Sequence, residues 1–230
     1  MRTFLFLLLA LSLSGPASAS MLIDRAIINF AAGEPSRQDV TVSNPTESTM
    51  FLEVEVLQVS DPGTDNERRE VVRDPESIGL IAAPRRVAIP AGGRRLVRLV
   101  NLNGHGDTER VYRVNITPIE PPADQDDEPS IGIRIIVAYQ LLIFVAPQEV
   151  NMGLEARREG NVLHLHNTGN VNMMLSDGRQ CRGGLEGSPC EEVTGRRLYP
   201  GNKAVLQLPM EEAVSFQVEG AGQKSRRRFD

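Results

Sequence analysis

Tryptophan is missing altogether, aromatic residues fill 4% of the 230 positions, and the chain has three histidines and two cysteines. So few imidazoles and thiols leave few ligands for a dedicated metal centre, and a disulfide-dense small scaffold is excluded. Positive charge is not in excess: 25 Lys and Arg against 30 Asp and Glu give a formal charge of −5. A strongly basic face for nucleic acid is therefore not expected. Catalytic signatures are wanting too. No G-x-S-x-G, H-E-x-x-H, P-loop or strand-following G-x-G-x-x-G occurs, so the reading is not an enzyme, and no cofactor is implied. What is present is an ordinary globular composition, 40% hydrophobic and 24% charged. The length suits one large domain or two of roughly 100 residues each.

The only long apolar run is at the start. Met1-Arg2 supplies a positive charge, Phe4 to Leu13 is apolar but short for a bilayer span, and Gly15-Pro16 breaks it. Ala17-Ser18-Ala19 has the small-x-small pattern of a signal-peptidase site. Residues 1–19 are read as a secretory signal peptide, with a retained membrane anchor as the alternative. No later segment reaches the ~18 apolar residues of a span, so stable membrane insertion is not expected. Export bears on Cys181 and Cys190, nine positions apart. In an oxidising compartment the pair reads as one disulfide closing a Gly-rich loop. A two-thiol metal site would lack further ligands nearby.

Nearly everything after the leader alternates with a period of two. Leu22 to Phe30, Val40 to Ser43, Phe51 to Val59, Val87 to Ile89, Arg95 to Leu102 and Val111 to Ile119 read as strands. Glu53 and Glu55 fall opposite Leu52, Val54 and Val56. Turns at Asn44-Pro45, Asp61-Pro62-Gly63, Asp74-Pro75 and Pro90 to Gly93 punctuate them. The pattern resumes at Leu154–Ala156, Asn161–His166, Val171–Leu175, Lys203–Leu208 and Val214–Val218. Val40 to Asn44 and Leu163 to Asn167 look alike, each an alternating strand closed by an Asn turn, a weak internal repeat. The fold class expected is all-β, two immunoglobulin-like sandwiches, 20–147 and 148–230.

Three features remain. Residues 121–130 form an acidic, Pro-bounded loop without the ligand spacing of a Ca²⁺ site. His164 and His166 would share one strand face, but no third ligand is visible, so exposed polar residues are favoured over a metal pair; His105 sits in a Gly-rich turn. The Lys224 to Arg228 run reads as a solvated tail. Most unusual is 131–145, fifteen residues that would extend ~50 Å as one strand at ~3.3 Å each. Ile131, Ile133, Ile135 and Val137 alternate along one face. A strand that overruns its own sheet exposes backbone groups and apolar side chains that another chain can pair with. Self-association of the free protein through this edge is a further expectation.

In order and spacing the chain resembles the periplasmic chaperones of pilus (fimbrial) assembly, the PapD-like family. The marks are Asp24 to Phe30, Val40 to Pro45, Pro90 to Leu99, Glu109 to Pro122, and the long strand ending Ile143 to Pro147. The resemblance implies two immunoglobulin-like domains in an L or boomerang, pilin subunits as partners, and delivery to an outer-membrane usher in the periplasm. It makes Ile131, Ile133, Ile135 and Val137 the residues donated to a pilin. The family grips the pilin's C-terminal carboxylate with an Arg in the first strand and a Lys in the long one. Here the Lys position falls on Leu142, and Arg25 is the remaining first-strand cation, two residues off the common register. Ala146 stands where the family carries a basic residue, so contacts between the two domains are expected to differ. A structural pilus subunit or adhesive module of immunoglobulin-like domains is the alternative reading.

Overall fold

The computed structural model describes residues 21–230 except 72, 75, 76, 78, 121–135 and 185–188. The leader 1–19 and the loop 121–130 therefore lie outside the described residues, as do Ile131, Ile133 and Ile135. The rest is all-β, folded as two immunoglobulin-like β-sandwich domains. In the first, one sheet is ordered β1 (Leu22–Ile23), β3 (Arg37–Ser43), β8 (Arg94–Asn101), β6 (Leu80–Ala83). The facing sheet runs β2 (Ile27–Phe30), β10 (Tyr139–Val145), β9 (Arg110–Ile119), β4 (Met50–Ser60), β5 (Arg68–Val71), with β7 (Arg86–Ile89) also on β4. Val40, Val42, Leu52, Tyr112, Ile116 and Ile143 are among the side chains buried between them.

The second sandwich sets β11 (Leu154–Glu159), β12 (Val162–Asn167) and β16 (Lys203–Gln207) against a larger sheet. That sheet is ordered β14 (Cys190–Val193), β13 (Met173–Cys181), β17 (Val214–Gly220), β18 (Gln223–Phe229), and β15 (Arg197–Leu198) also pairs β13. Leu163, Leu165, Leu175, Val214 and Phe216 fill its core. Cys181 and Cys190 stand opposite each other on β13 and β14 and form the expected disulfide. Closing so short a loop contributes about 2–3 kcal/mol.

The weak repeat has a physical basis. The Asn44 amide donates to the carbonyls of Ser48, Ile89 and Pro90 while its oxygen accepts the Thr46 N–H. Asn167 donates to Val171 and Leu198 and accepts from Gly169 N–H. Each Asn thus closes its own turn and ties it to the residue ending a strand of the same sandwich, Ile89 in one and Leu198 in the other. The following turns match as well. Gly92 and Gly201 both have positive φ, which glycine reaches without a Cβ penalty. Their N–H groups reach back to the carbonyls of Thr46 and Asn167.

Three expectations are corrected. The opening strand is not continuous: β1 pairs β3 in one sheet, and β2 pairs β10 in the other. The crossing lies at residues 24–26, and the Asp24 carboxylate holds it by accepting the Thr41 N–H. The Lys224 to Arg228 run is not a loose tail but β18, hydrogen-bonded along β17. Its hairpin turns through Ala221 and Gly222, both at positive φ, the geometry a two-residue hairpin requires. Finally, β10 is seven residues long, and Ile136 to Ala138 are not in a strand.

Candidate functional site

The start of β10 is set by a missing donor. β10 pairs β9 antiparallel from Tyr139↔Ile116 to Val145↔Arg110. The Leu142 N–H bonds Ala26 on the β2 side, so the alternating groups of Tyr139, Leu141 and Ile143 point to β9. On β9 those partners are Ile116, Val114 and Tyr112. Two residues beyond Ile116, the position aimed at the same side is Pro118, which has no N–H to give. Continuing the register would put Val137 opposite Pro118, and pairing stops there. On the other edge β2 accompanies β10 only from Leu142 onward. The chain before Tyr139 therefore leaves the sheet without a strand beside it among the described residues. Val137 is 44% exposed and Ile136 50%.

The same strand buries both of its faces. Leu141, Ile143 and Val145 point into the first core, while Leu142 and Phe144 join Val59, Val111 and Tyr199 in a separate cluster. β4 shows the same change of side: Leu52 and Val54 belong to the core, and Val59 to the cluster. Tyr199 comes from the second sandwich, so this cluster seats one domain on the other. Its ring lies 6.3 Å from that of Phe144, and the Arg197 guanidinium sits 5.1 Å over Phe144.

Polar contacts complete the junction. The Glu109 carboxylate accepts from the backbone N–H and the side-chain amide of Asn172, at 3.0 and 2.8 Å, and Arg197 donates to the Asn172 side-chain oxygen. The Glu109 N–H bonds the Asn170 carbonyl, and the Asn170 amide bonds Asp107 and Glu149. His105 Nδ1 lies 2.7 Å from the Ala146 carbonyl, and Gly106 accepts the Gln148 N–H. The loop ahead of β9 thus clasps the connecting segment. With alanine at 146, main-chain and amide contacts hold the two sandwiches together here.

Burial pushes the Glu109 carboxyl up to about 7, against the opposing pull of the Asn172 hydrogen bonds and Arg197. The folded state therefore holds this proton more tightly than the unfolded chain does. The resulting stability is complete below the unfolded value of 4.5 and is lost as pH rises through about 7. Urea unfolding should show a loss on the order of 2–3 kcal/mol from this group between pH 5 and pH 8. Glu109→Gln should remove that slope; an unchanged pH dependence in the variant would contradict the assignment.

Of the other residues singled out in sequence, Arg25 lies at the strand crossing, exposed, 3.8 Å from its neighbour Asp24. The break at 24–26 interrupts the alternation that would have carried its side chain toward the junction. Leu142 pairs in register with Ile27, which is 50% exposed. His164 and His166 lie on β12 between β11 and β16, and His166 is 3.8 Å from Glu155. Among the described residues no three His, Cys, Asp or Glu side chains gather as metal ligands. Glu109, Asn172 and Tyr199 are the residues that sequence reasoning missed. They are brought together from distant positions, and no spacing links them.

Residues 20–151 match the family described as pili and flagellar-assembly chaperone, PapD N-terminal domain. The chain is 26% identical to a CS1 fimbrial subunit of Escherichia coli over 204 residues, 84% of this chain and 85% of that one. It is 25% identical to the probable fimbrial chaperone EcpB of Escherichia coli O157:H7 over 197 residues, 85% of each. Among solved structures, the class 5 fimbriae chaperone CfaA superposes with a TM-score of 0.67 at 20% identity, covering 91% of this chain and 99% of that one. A Salmonella enterica structure of the SafA pilin with the SafB chaperone gives a TM-score of 0.63 at 17% identity, with 94% and 98% covered.

Proposed function

The chain belongs to the PapD-type pilus and flagellar-assembly chaperones, and we propose that it captures pilin-type subunits by strand donation from 131–145. It holds and caps each pilin, then passes it to an outer-membrane usher, by binding alone and without a cofactor. The observation that carries this reading is that pairing of β10 with β9 ends at Pro118, so that Ile136 to Ala138 leave the sheet with Ile136 and Val137 exposed, directly after the alternating Ile131, Ile133 and Ile135 of the sequence. Ile131, Ile133, Ile135 and Val137 are the donated residues. The Salmonella neighbour, a pilin in complex with its chaperone, fits the same partner class. We place the protein in the periplasm after removal of residues 1–19, and the domain boundary near residue 147.

Two relatives carry the name of a fimbrial subunit, which favours a second reading as a pilus component. Affinity capture from periplasmic extract of the source cells, using the tagged full chain, separates the two. The chaperone reading expects a discrete complex with a small exported β-protein, identified by mass spectrometry and of fixed size on gel filtration. A ladder of self-polymers would establish the pilus-component reading instead, and a folded protein that captures nothing would overturn both.

A further inference from the structure

The hairpin of β4 and β5 reaches across to the second sandwich. Its turn, residues 61–67, is braced from within: the Thr64 N–H and hydroxyl bond the Asp61 carbonyl, and the Glu67 N–H bonds the Thr64 carbonyl. At the tip, Gly63 lies against the turn between β15 and β16. A methyl group there would stand 2.7 Å from the Tyr199 ring and 3.0 Å from the Asn202 side-chain oxygen, so no larger residue fits without displacing them. Those two groups are themselves fixed. The Asn202 oxygen accepts the Tyr199 N–H, and the Tyr199 ring belongs to the domain-seating cluster.

From Gly63 a continuous line of polar contacts runs back to β10. The Gly63 N–H donates to one oxygen of Glu67 at 2.7 Å, and the other oxygen takes the Arg69 guanidinium at 2.7–2.8 Å. Arg69 also donates to Gln140 Oε1 at 3.1 Å, and Gln140 Nε2 donates to Asn115 of β9 at 2.8 Å. Gln140 is the second residue of β10, next to the point where the chain enters its sheet. Among the described residues, the hydrogen bonds of Arg69 and Gln140 stay within the first sandwich. Glu67 alone of the three acts across the junction, within electrostatic reach of Tyr199 as well as of Arg69 and Arg113.

The second sandwich thus rests on two separate supports. The loop ahead of β9 grips Asn170 and Asn172, and the hairpin tip abuts Tyr199 and Asn202. Two supports fix an angle where one would leave a hinge. We infer that the β4–β5 hairpin is a strut that sets the second sandwich against the start of β10, and that Gly63, Glu67 and Arg69 are positioning residues for pilin capture. The part played in capture rests on the strand-donation reading. A polypeptide paired ahead of Tyr139 lies beside Gln140, and a partner that touches both sandwiches binds more tightly when their angle is held before it arrives.

The first arm of the test uses the free full chain and no pilin. Spin labels at Leu96→Cys and Val205→Cys, one exposed site in each sandwich, report the distance between the two in the oxidised protein. Gly63→Ala should shift that distance, and Gly160→Ala should not. Gly160 also has positive φ but open space around it, so it separates backbone strain from the contact with Tyr199. Arg69→Met and Gln140→Leu should each broaden the distance distribution roughly two-fold, although neither side chain bonds to the second sandwich. The double variant should be no broader than Arg69→Met by itself, because both cut one line. Unchanged distances in Arg69→Met and Gln140→Leu, or equal shifts in Gly63→Ala and Gly160→Ala, would overturn the strut.

The second arm uses the pilin recovered with wild-type protein. Gly63→Ala and Arg69→Met should capture it about five-fold or more weakly, with Gly160→Ala equal to wild type. Undiminished capture by variants whose distances have changed would overturn the positioning role. Absence of any captured pilin would count against strand donation alone, because the first arm reads the strut directly.

Discussion

Ile135→Asp should abolish pilin capture while leaving the melting temperature of the free protein within about 1–2 °C of wild type. The two halves of this result have different origins. For the free chain the expectation follows from the donor reading, in which this side chain is kept for the pilin and not for the chaperone's own core. In the complex it would enter an apolar groove of the pilin. Burying an unpaired carboxylate there costs several kcal/mol, and about 4 kcal/mol is a thousand-fold in affinity. Val205→Asp is the matched control, since that residue is 59% exposed on β16 of the second sandwich. Co-purification with the pilin, read beside thermal melts of all three proteins, checks the prediction. Full capture by Ile135→Asp would remove 131–145 from the mechanism.

Asn167→Ala should cost about 3–5 kcal/mol of folding stability, the largest single effect expected away from the hydrophobic core. The side chain is fully buried. Its loss takes their partner from the carbonyls of Val171 and Leu198 and from the N–H of Gly169. Each buried group left unsatisfied costs about 1–3 kcal/mol. Asn44→Ala should act alike in the first sandwich, where the Asn44 amide serves three carbonyls. Asn167→Asp should be no better than alanine, because it keeps the acceptor but loses the donor and buries a charge. Urea midpoints with unchanged slopes are the measurement. A loss below about 1 kcal/mol would show that the two turns do not depend on these side chains.

Most strands are legible in the sequence, because a strand half-buried in a sandwich repeats every two residues and β3, β4, β8, β9 and β12 do so. The places where that reading fails have local causes. β18 carries Lys224, Arg226, Arg227 and Arg228, and charge of one sign suggests a free tail. Edge strands bear such charge to discourage further pairing, and the Gly-Ala-Gly turn at 220–222 is the signal available. The split of the first strand at 24–26 leaves no mark in its alternation, since both halves remain apolar and extended. Alternation carries β10 back to Ile131, but Pro118 on a neighbouring strand decides where its pairing begins.

Alternation, turn residues and the small-residue site at 17–19 are enough to expect an exported pair of β-sandwiches, a donor segment and a disulfide. These are properties of neighbours along the chain, and local sterics and hydrophobic patterning express them directly. The junction between the sandwiches is of another kind. Glu109 meets Asn172 across 63 positions, and Phe144 meets Tyr199 of the second sandwich. Such facts arise only when separate strands are set side by side, because burial and pairing belong to the packed assembly and not to any one segment.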